Sequence, residues 1–529
     1  MFLHWPKQDK MPKPKKSFKE RVERLRESYR RRGYRVVNGA EEAVDSIQTA
    51  ALVVPAQPKP NLWVVGKGIP NLTGSSSSPL KKLRSVYKAM EDKALYLSPI
   101  LDIHFEGGKE KNVDEAGTQT MQIGEEAYNS VLLFSTLTNV IDGKMILYGP
   151  SGSAKTSLTR YLSSAVRNLV VEYLKYATVF GHPHQTEEKI FAMYDPVAMV
   201  NGSKDLIIRE ILKCPVKNWD ELNRLPPDLA AMVLEYIETG VVTYQDQLIR
   251  GVPGPMYATA NPADKGNKKF ITPLKDRFNI AVLADRLGPY YFRSFNEQRA
   301  RGMNVPEEII RLDDPILDQD LLQIRQDIFS VIFPIEVASR VAHFFAELSG
   351  CDMAGYALER KTKGNLDAER PPSICKDCHH YSQDNSICSK VEDDFSARAF
   401  ESLYTYSKAI AYWRGKTEVG EEDVRAVIPF VTWFRAESTR AAADLDPRFK
   451  TDKISLFQKL YEMSERSYEE IIDAIPEYKR ITSIAYSKDN GEEMNKEEIE
   501  ELIDKAANID TPAKYHFLIT LKKLYNDAK

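Results

Sequence analysis

Cysteine is scarce, at five in 529 residues, and three of the five fall between Cys375 and Cys388. That distribution excludes a scattered disulfide framework and favours metal binding in a reducing compartment. Long apolar runs are also missing. No stretch approaches the roughly 20 uninterrupted apolar residues that cross a bilayer, and residues 1–16 mix Trp, Pro and Lys without the apolar block of a secretion signal. A cytoplasmic location is the expectation. Charge of one sign is lacking overall, with 73 Lys and Arg against 76 Asp and Glu, a net of −3. The chain as a whole is therefore not built to coat nucleic acid or an anionic membrane. Its ends differ, however: residues 1–36 hold 13 basic residues against 4 acidic ones, and residues 489–510 hold 9 acidic residues against 2 lysines.

What is present describes a folded chain. Hydrophobic residues make up 43% and charged residues 28%, the balance of an ordinary globular protein, and the length allows about three or four structural units. Residues 17–34 place Phe18, Val22, Leu25 and Tyr29 at helical spacing among basic residues, a short amphipathic arm. Residues 54–79 contain five prolines and the run Ser75 to Ser78, a linker or irregular lead-in. From there the pattern divides into an α/β core over residues 81–290, a helical lid over 310–445 with an insertion at about 351–390, and a polar helical tail over 446–529. Alternating helix and strand signals in the core predict a parallel sheet with helices on both faces.

The chemistry starts where the apolar run Met145-Ile146-Leu147-Tyr148 meets Gly149-Pro150-Ser151-Gly152-Ser153-Ala154-Lys155-Thr156, followed by Ser157 and a helical pattern through Leu158, Leu162, Ala165 and Leu169. Strand, small-residue turn and helix form a phosphate loop: backbone N–H groups wrap the phosphates, and the helix offers its positive end. Lys155 can reach the β- and γ-phosphates, and the Thr156 hydroxyl can take one position on Mg²⁺. The usual pattern has Gly before the Lys, where Ala154 stands here. Such a loop reads phosphates and not bases, so ATP and GTP are both open at this point. Downstream, Trp219-Asp220-Glu221 supplies adjacent carboxylates at a second strand end, Asp220 for the metal shell and Glu221 for the attacking water. The preceding Val216-Lys217-Asn218 is unusually polar for a buried parallel strand.

Three blocks share an order and spacing that resembles the MoxR family of AAA+ ATPases. They are Asp220-Glu221-Leu222-Asn223-Arg224-Leu225-Pro226-Pro227, Leu234-Glu235-Tyr236-Ile237-Glu238-Thr239-Gly240, and Ala258-Thr259-Ala260-Asn261-Pro262. That family commonly has Ala before its loop lysine. The resemblance spans roughly residues 124–435. It implies that Asn261 senses the γ-phosphate, that Arg277 in Asp276-Arg277-Phe278 is an arginine finger, and that Arg398 in Ser396-Ala397-Arg398-Ala399 is the second sensor of the lid. It further implies ATP as the nucleotide and a β-hairpin over residues 241–250 facing a ring pore. The ring is commonly a hexamer, and the work chaperone-like maturation of partner complexes, often beside proteins with a von Willebrand A domain.

Cys375-Lys376-Asp377-Cys378-His379-His380, followed by Cys388, places soft ligands at spacings that suit structural Zn²⁺. Both histidines cannot be needed, and Cys351 is an alternative fourth ligand. An iron–sulfur cluster is the lesser alternative. Two further functions compete with partner remodelling: a nucleic-acid motor or loader using the basic arm and the metal knuckle, and a scaffold that binds ATP without hydrolysing it. The combination of Glu221, Asn261, Arg277 and Arg398 argues against the scaffold.

Overall fold

A computed structural model of the chain describes residues 77–92, 121–123, 126–150, 152–261, 272–284, 314–366, 375–381, 386–392, 395–486 and 495–528, with 34–35, 66–67, 296 and 300. The basic arm expected over 17–34 and most of the lead-in over 54–79 lie outside the described residues. Tyr34–Arg35 and Gly66–Lys67 pair antiparallel. They fall in a separate unit from residues 77–167 and 171–529, where the site lies.

Within the larger unit, helix α1 (Pro79–Asp92) precedes α2 (Ser130–Val140), strand β1 (Lys144–Tyr148) and α3 (Lys155–Arg167). Strands β2 (Val179–Phe180) and β3 (Lys217–Asp220), helix α4 (Pro227–Thr239), and strands β4 (Met256–Ala260) and β5 (Ile280–Leu283) complete the core. The strands form one parallel sheet in the order β5-β1-β4-β3-β2. Ala260 and Leu283 both pair with Tyr148, and Ala258 pairs with Trp219. Parallel register brings the carboxyl ends of β1, β4 and β3 to one edge, the place where open α/β sheets bind ligands.

The polar strand that the sequence made doubtful is a real central strand. Lys217 and Asn218 are buried in β3. The Lys217 ammonium donates to the carbonyls of Cys214 and, at 2.7 Å, Val252, so two of its three donors are paired although it lies inside. Helix α2 is buried on every side. Its polar groups are matched: Asn139 Nδ2 donates to Ser163 Oγ at 2.9 Å, and Thr138 Oγ1 lies 2.6 Å from Tyr406 Oη.

The lid comprises α5 (Asp318–Ser330), α6 (Ile335–Ser349), α7 (Ala397–Trp413) and α8 (Glu421–Thr432). It is fastened to the core by Trp433, whose Nε1 donates to Ala281 O at 2.8 Å, and by buried Arg435, which donates to the carbonyls of Phe278, Asn279 and Val431. The tail, α9 (Lys453–Ala474), α10 (Glu477–Tyr486), α11 (Lys496–Ala507) and α12 (Lys514–Asp527), builds its own core around Tyr478, Leu502 and Phe517. Buried Glu347 of α6 anchors it by accepting from Ser464, Ser467 and Thr511 at 2.7, 3.0 and 3.1 Å. Among the described residues no helix is long and apolar enough to cross a membrane.

The expected hairpin is present: Val241–Tyr244 pairs antiparallel with Gln247–Arg250, turning at Gln245 and Asp246, both left-handed as a two-residue turn requires. A second hairpin, Ala192–Tyr194 with Leu206–Ile208, encloses a short helix, Pro196–Val200, and was not anticipated from the sequence.

Burial lowers the Lys217 pKa from 10.5 to about 8. Between those values the unfolded chain holds a proton that the folded chain has released, so folding stability rises as pH climbs from 8 to 10. In Lys217→Met that gain should be absent. Urea midpoints of the two proteins across this range test it, and parallel pH dependence would refute the assignment.

Candidate functional site: a phosphate loop facing paired carboxylates

The loop leaves β1 at Gly149, whose N–H donates to Ala260 O at 3.0 Å. A Cβ at Gly149 would lie 1.9 Å from Ala284 O, so no side chain fits between β1 and β5 here. Gly152 and Ala154 both take left-handed backbone, with φ of +83° and +58°. For Ala154 that conformation costs about 1 kcal/mol, which the surrounding turn must offset. Lys155 opens α3 and is buried. Its ammonium donates to Gly149 O at 2.8 Å, Pro150 O at 2.7 Å and Ser153 Oγ at 3.1 Å, curled back over the loop it serves. Thr156 is half-buried beside it, and Ser157 is exposed on the first turn of α3. Ser151 lies outside the described residues.

Asp220, at the end of β3, is the centre of the arrangement. Its Oδ1 accepts from Thr156 Oγ1 at 2.6 Å and from Thr259 Oγ1 at 2.5 Å. The Thr259 hydroxyl in turn accepts from the Glu221 N–H at 2.9 Å. Glu221 has left-handed backbone, φ +53° and ψ +47°. This non-glycine strain falls where the chain must turn sharply off the sheet, and the Glu221 carboxylate pairs with Arg224 Nη1 at 3.0 Å. Close packing behind the turn demands Gly181, where a Cβ would lie 2.0 Å from Glu221 O. Asn261, buried, follows directly from β4. The hydroxyl of Thr156 and the carboxylate of Asp220 are the hard oxygen donors that Mg²⁺ selects. Sequence reading missed Thr259, although its place two residues before Asn261 in the strand was the available signal.

The two arginines are elsewhere. Arg277 donates to Glu238 Oε2 at 2.8 Å, and Arg398 bonds to Asp276 Oδ2 at 3.0 Å and to Glu238 Oε1. Arg277 and then Arg398 hold the Glu238 carboxyl below its ordinary range. This group adjoins the amino ends of β1 and β5, where Asn279 N donates to Lys144 O at 2.8 Å. The carboxyl end of β1 and the loop are about 13 Å away, four strand steps of about 3.3 Å. The structure thus joins Arg398 to Arg277 rather than to the loop of its own chain.

The soft ligands gather in the lid. Cys351, Cys375, Cys378, Cys388 and His380 line one cavity of about 40 Å³. His380 Nε2 lies 3.0 Å from Asp352 Oδ2, and His379, exposed, lies 3.1 Å from Asp510. Of the two histidines only His380 lines this cavity. His379, His380 and Asp510 also bring ligand atoms within 4.8 Å of one another.

Thr259→Val removes the hydroxyl that positions Asp220 and Glu221 while keeping the strand. Turnover should fall about 10- to 100-fold, the usual effect of losing a partner that orients a metal ligand, with the nucleotide Kd little changed. Steady-state kinetics and nucleotide titration measure the two effects separately.

Residues 144–278 match the family described as AAA domain (dynein-related subfamily), and residues 391–454 match the AAA lid domain. No curated protein matches the sequence. Among solved structures, a protein from Cytophaga hutchinsonii assigned as an ATPase is similar at 16% identity over 73% of this chain and 95% of its own, with a TM-score of 0.46. The two family matches make the chain an ATPase, with a dynein-related AAA domain over residues 144–278 built on a parallel sheet with a phosphate loop, and an AAA lid over residues 391–454.

Proposed function

We propose that the chain hydrolyses Mg²⁺-bound ATP within a ring of its own copies, as its resemblance to the MoxR family implies, and uses the cycle to remodel a partner protein. The observation that carries the chemical part is the chain of contacts from Thr156 through Asp220 to Thr259 and Glu221, set beside a loop that already gathers the Lys155 ammonium. When bound, Mg²⁺ would supply charge neutralisation at the transferring phosphoryl group. Thr156 and Asp220 are the groups to hold it. Lys155 exchanges its loop carbonyls for phosphate oxygens, Glu221 orients water, and Asn261, at the neighbouring strand end, reads the terminal phosphate.

Arg277 and Arg398 support the ring. Bound together to Glu238 at the far end of β1, they are suited to neutralising charge on an adjacent subunit's nucleotide, where such a residue contributes about 10³–10⁵ in rate. The hairpin tips support a polypeptide client: Leu248 on one, and Val197, Met199 and Val200 on the other, are exposed apolar side chains. A hexamer and a partner with a von Willebrand A domain follow from the MoxR resemblance alone.

Glu221→Gln should retain nucleotide binding and lose at least about 100-fold in turnover, whereas Lys155→Ala should weaken binding itself. Normal turnover in Glu221→Gln would sink the site assignment. For the ring, Lys155→Ala and Arg277→Ala proteins, each inactive alone, should recover part of the wild-type rate when mixed, because mixed interfaces pair an intact loop with an intact arginine. No recovery would place Arg277 in its own subunit's site. Turnover stimulated by DNA or RNA, with binding that weakens steeply in salt, would point to a nucleic-acid motor instead.

A further inference from the structure

We infer that Cys351, Cys375, Cys378 and Cys388 form a four-thiolate metal centre that staples the lid insertion to the end of α6, with both histidines outside the ligand set. The four cysteines come from three separated stretches of chain and still line one small cavity, and all are free thiols. Chance burial does not require such convergence; the fifth cysteine, Cys214, is buried apart from them, three residues before Lys217.

Local backbone prepares each ligand. Gly350 ends α6, and Cys351 N donates to Lys361 O at 3.0 Å, holding the thiol at the helix exit. Cys375 and Cys378 sit on one tight turn closed by Cys378 N to Cys375 O at 3.1 Å. The turn continues with Tyr381 N donating to Cys378 O at 3.1 Å. Ser386 Oγ lies 3.3 Å from Cys388 Sγ. Lys363 lines the same cavity and is tethered to Val391 O at 2.8 Å, so a cation is stationed beside the sulfurs to offset their negative charge.

The histidines have other work. Asp352 follows Cys351 directly and takes His380 Nε2 at 3.0 Å, within the cavity that Cys351 also lines. His379 turns outward to Asp510. From Cys388 the chain continues to Ser389 and Lys390, whose carbonyls accept from Thr439 Oγ1 at 2.6 Å and from Thr439 N at 3.0 Å. The centre would thus bind together the exit of α6, the insertion and the segment that follows α8.

Four thiolates select either Zn²⁺ or an iron–sulfur cluster, and the measurement separates the two. Full-length protein purified without oxygen is assayed for metal and for acid-labile sulfide. One zinc per chain without sulfide identifies a mononuclear centre; iron and sulfide in equal amounts with visible absorption identify a cluster. Either supports the proposal, provided that Cys351→Ser loses at least about tenfold in bound metal as Cys378→Ser does, while His379→Ala and His380→Gln keep it. A second readout needs no substitution. Removing metal from the native wild-type protein should expose four additional thiols to a thiol reagent. Absence of metal, exposure of three thiols, or retention in Cys351→Ser with loss in His380→Gln would overturn the four-thiolate assignment. None of these readouts depends on ATP turnover.

Discussion

A single carboxylate oxygen holds the catalytic edge together. Asp220 Oδ1 accepts one hydroxyl from the start of α3 and another from β4, and the second hydroxyl takes the N–H of Glu221. Three chain segments are thereby set against each other within hydrogen-bond tolerance. The parallel sheet supplies the coarse placement by ending β1, β4 and β3 at one edge, and the hydroxyls supply the fine one. Without the register neither threonine would reach the carboxylate; without the threonines the strand ends would be neighbours with no fixed geometry.

How much of this was legible depended on how local the information was. The phosphate loop is contiguous, so glycine, lysine and threonine declared it, and Ala154 retained the left-handed backbone that a glycine would adopt freely. The hairpin at 241–250 could be read because its strands alternate and its turn is polar. Strand β3 was obscured by Lys217, because one of the two carbonyls that make its burial tolerable belongs to Val252, 35 residues further on. The hairpin enclosing Pro196–Val200 escaped notice because strands of three residues carry too little periodicity to distinguish them from loop. Arg277 and Arg398 were singled out by their order along the chain, but order says nothing of direction. Only the fold shows that both turn to Glu238.

The lid and tail bury charge where an apolar contact would have sufficed. Arg435 turns its two terminal nitrogens to three carbonyls at the seam between α8 and β5, and desolvation lowers its pKa from 12.5 to about 10. Glu347 gathers three hydroxyls from the tail. Such groups are costly to leave unmatched. They therefore discriminate strongly between the docking seen here and a slipped alternative, in which a carbonyl or a carboxylate would lose its partners. The tail, featureless in sequence, is held on α6 by these hydroxyls together with the apolar packing of Ala346 against Tyr478 and its neighbours.

Strand β1 has a consequence of its own. Five residues long, it separates the loop at one end from Arg277, Arg398 and Glu238 at the other, so one copy of the chain carries the two halves of its proposed machinery back to back. Under that reading dilution alone disarms the enzyme, since an isolated copy keeps its nucleotide pocket yet carries Arg277 and Arg398 at the far end of β1. Specific activity then becomes a gauge of self-association, and concentration a regulator that needs no effector.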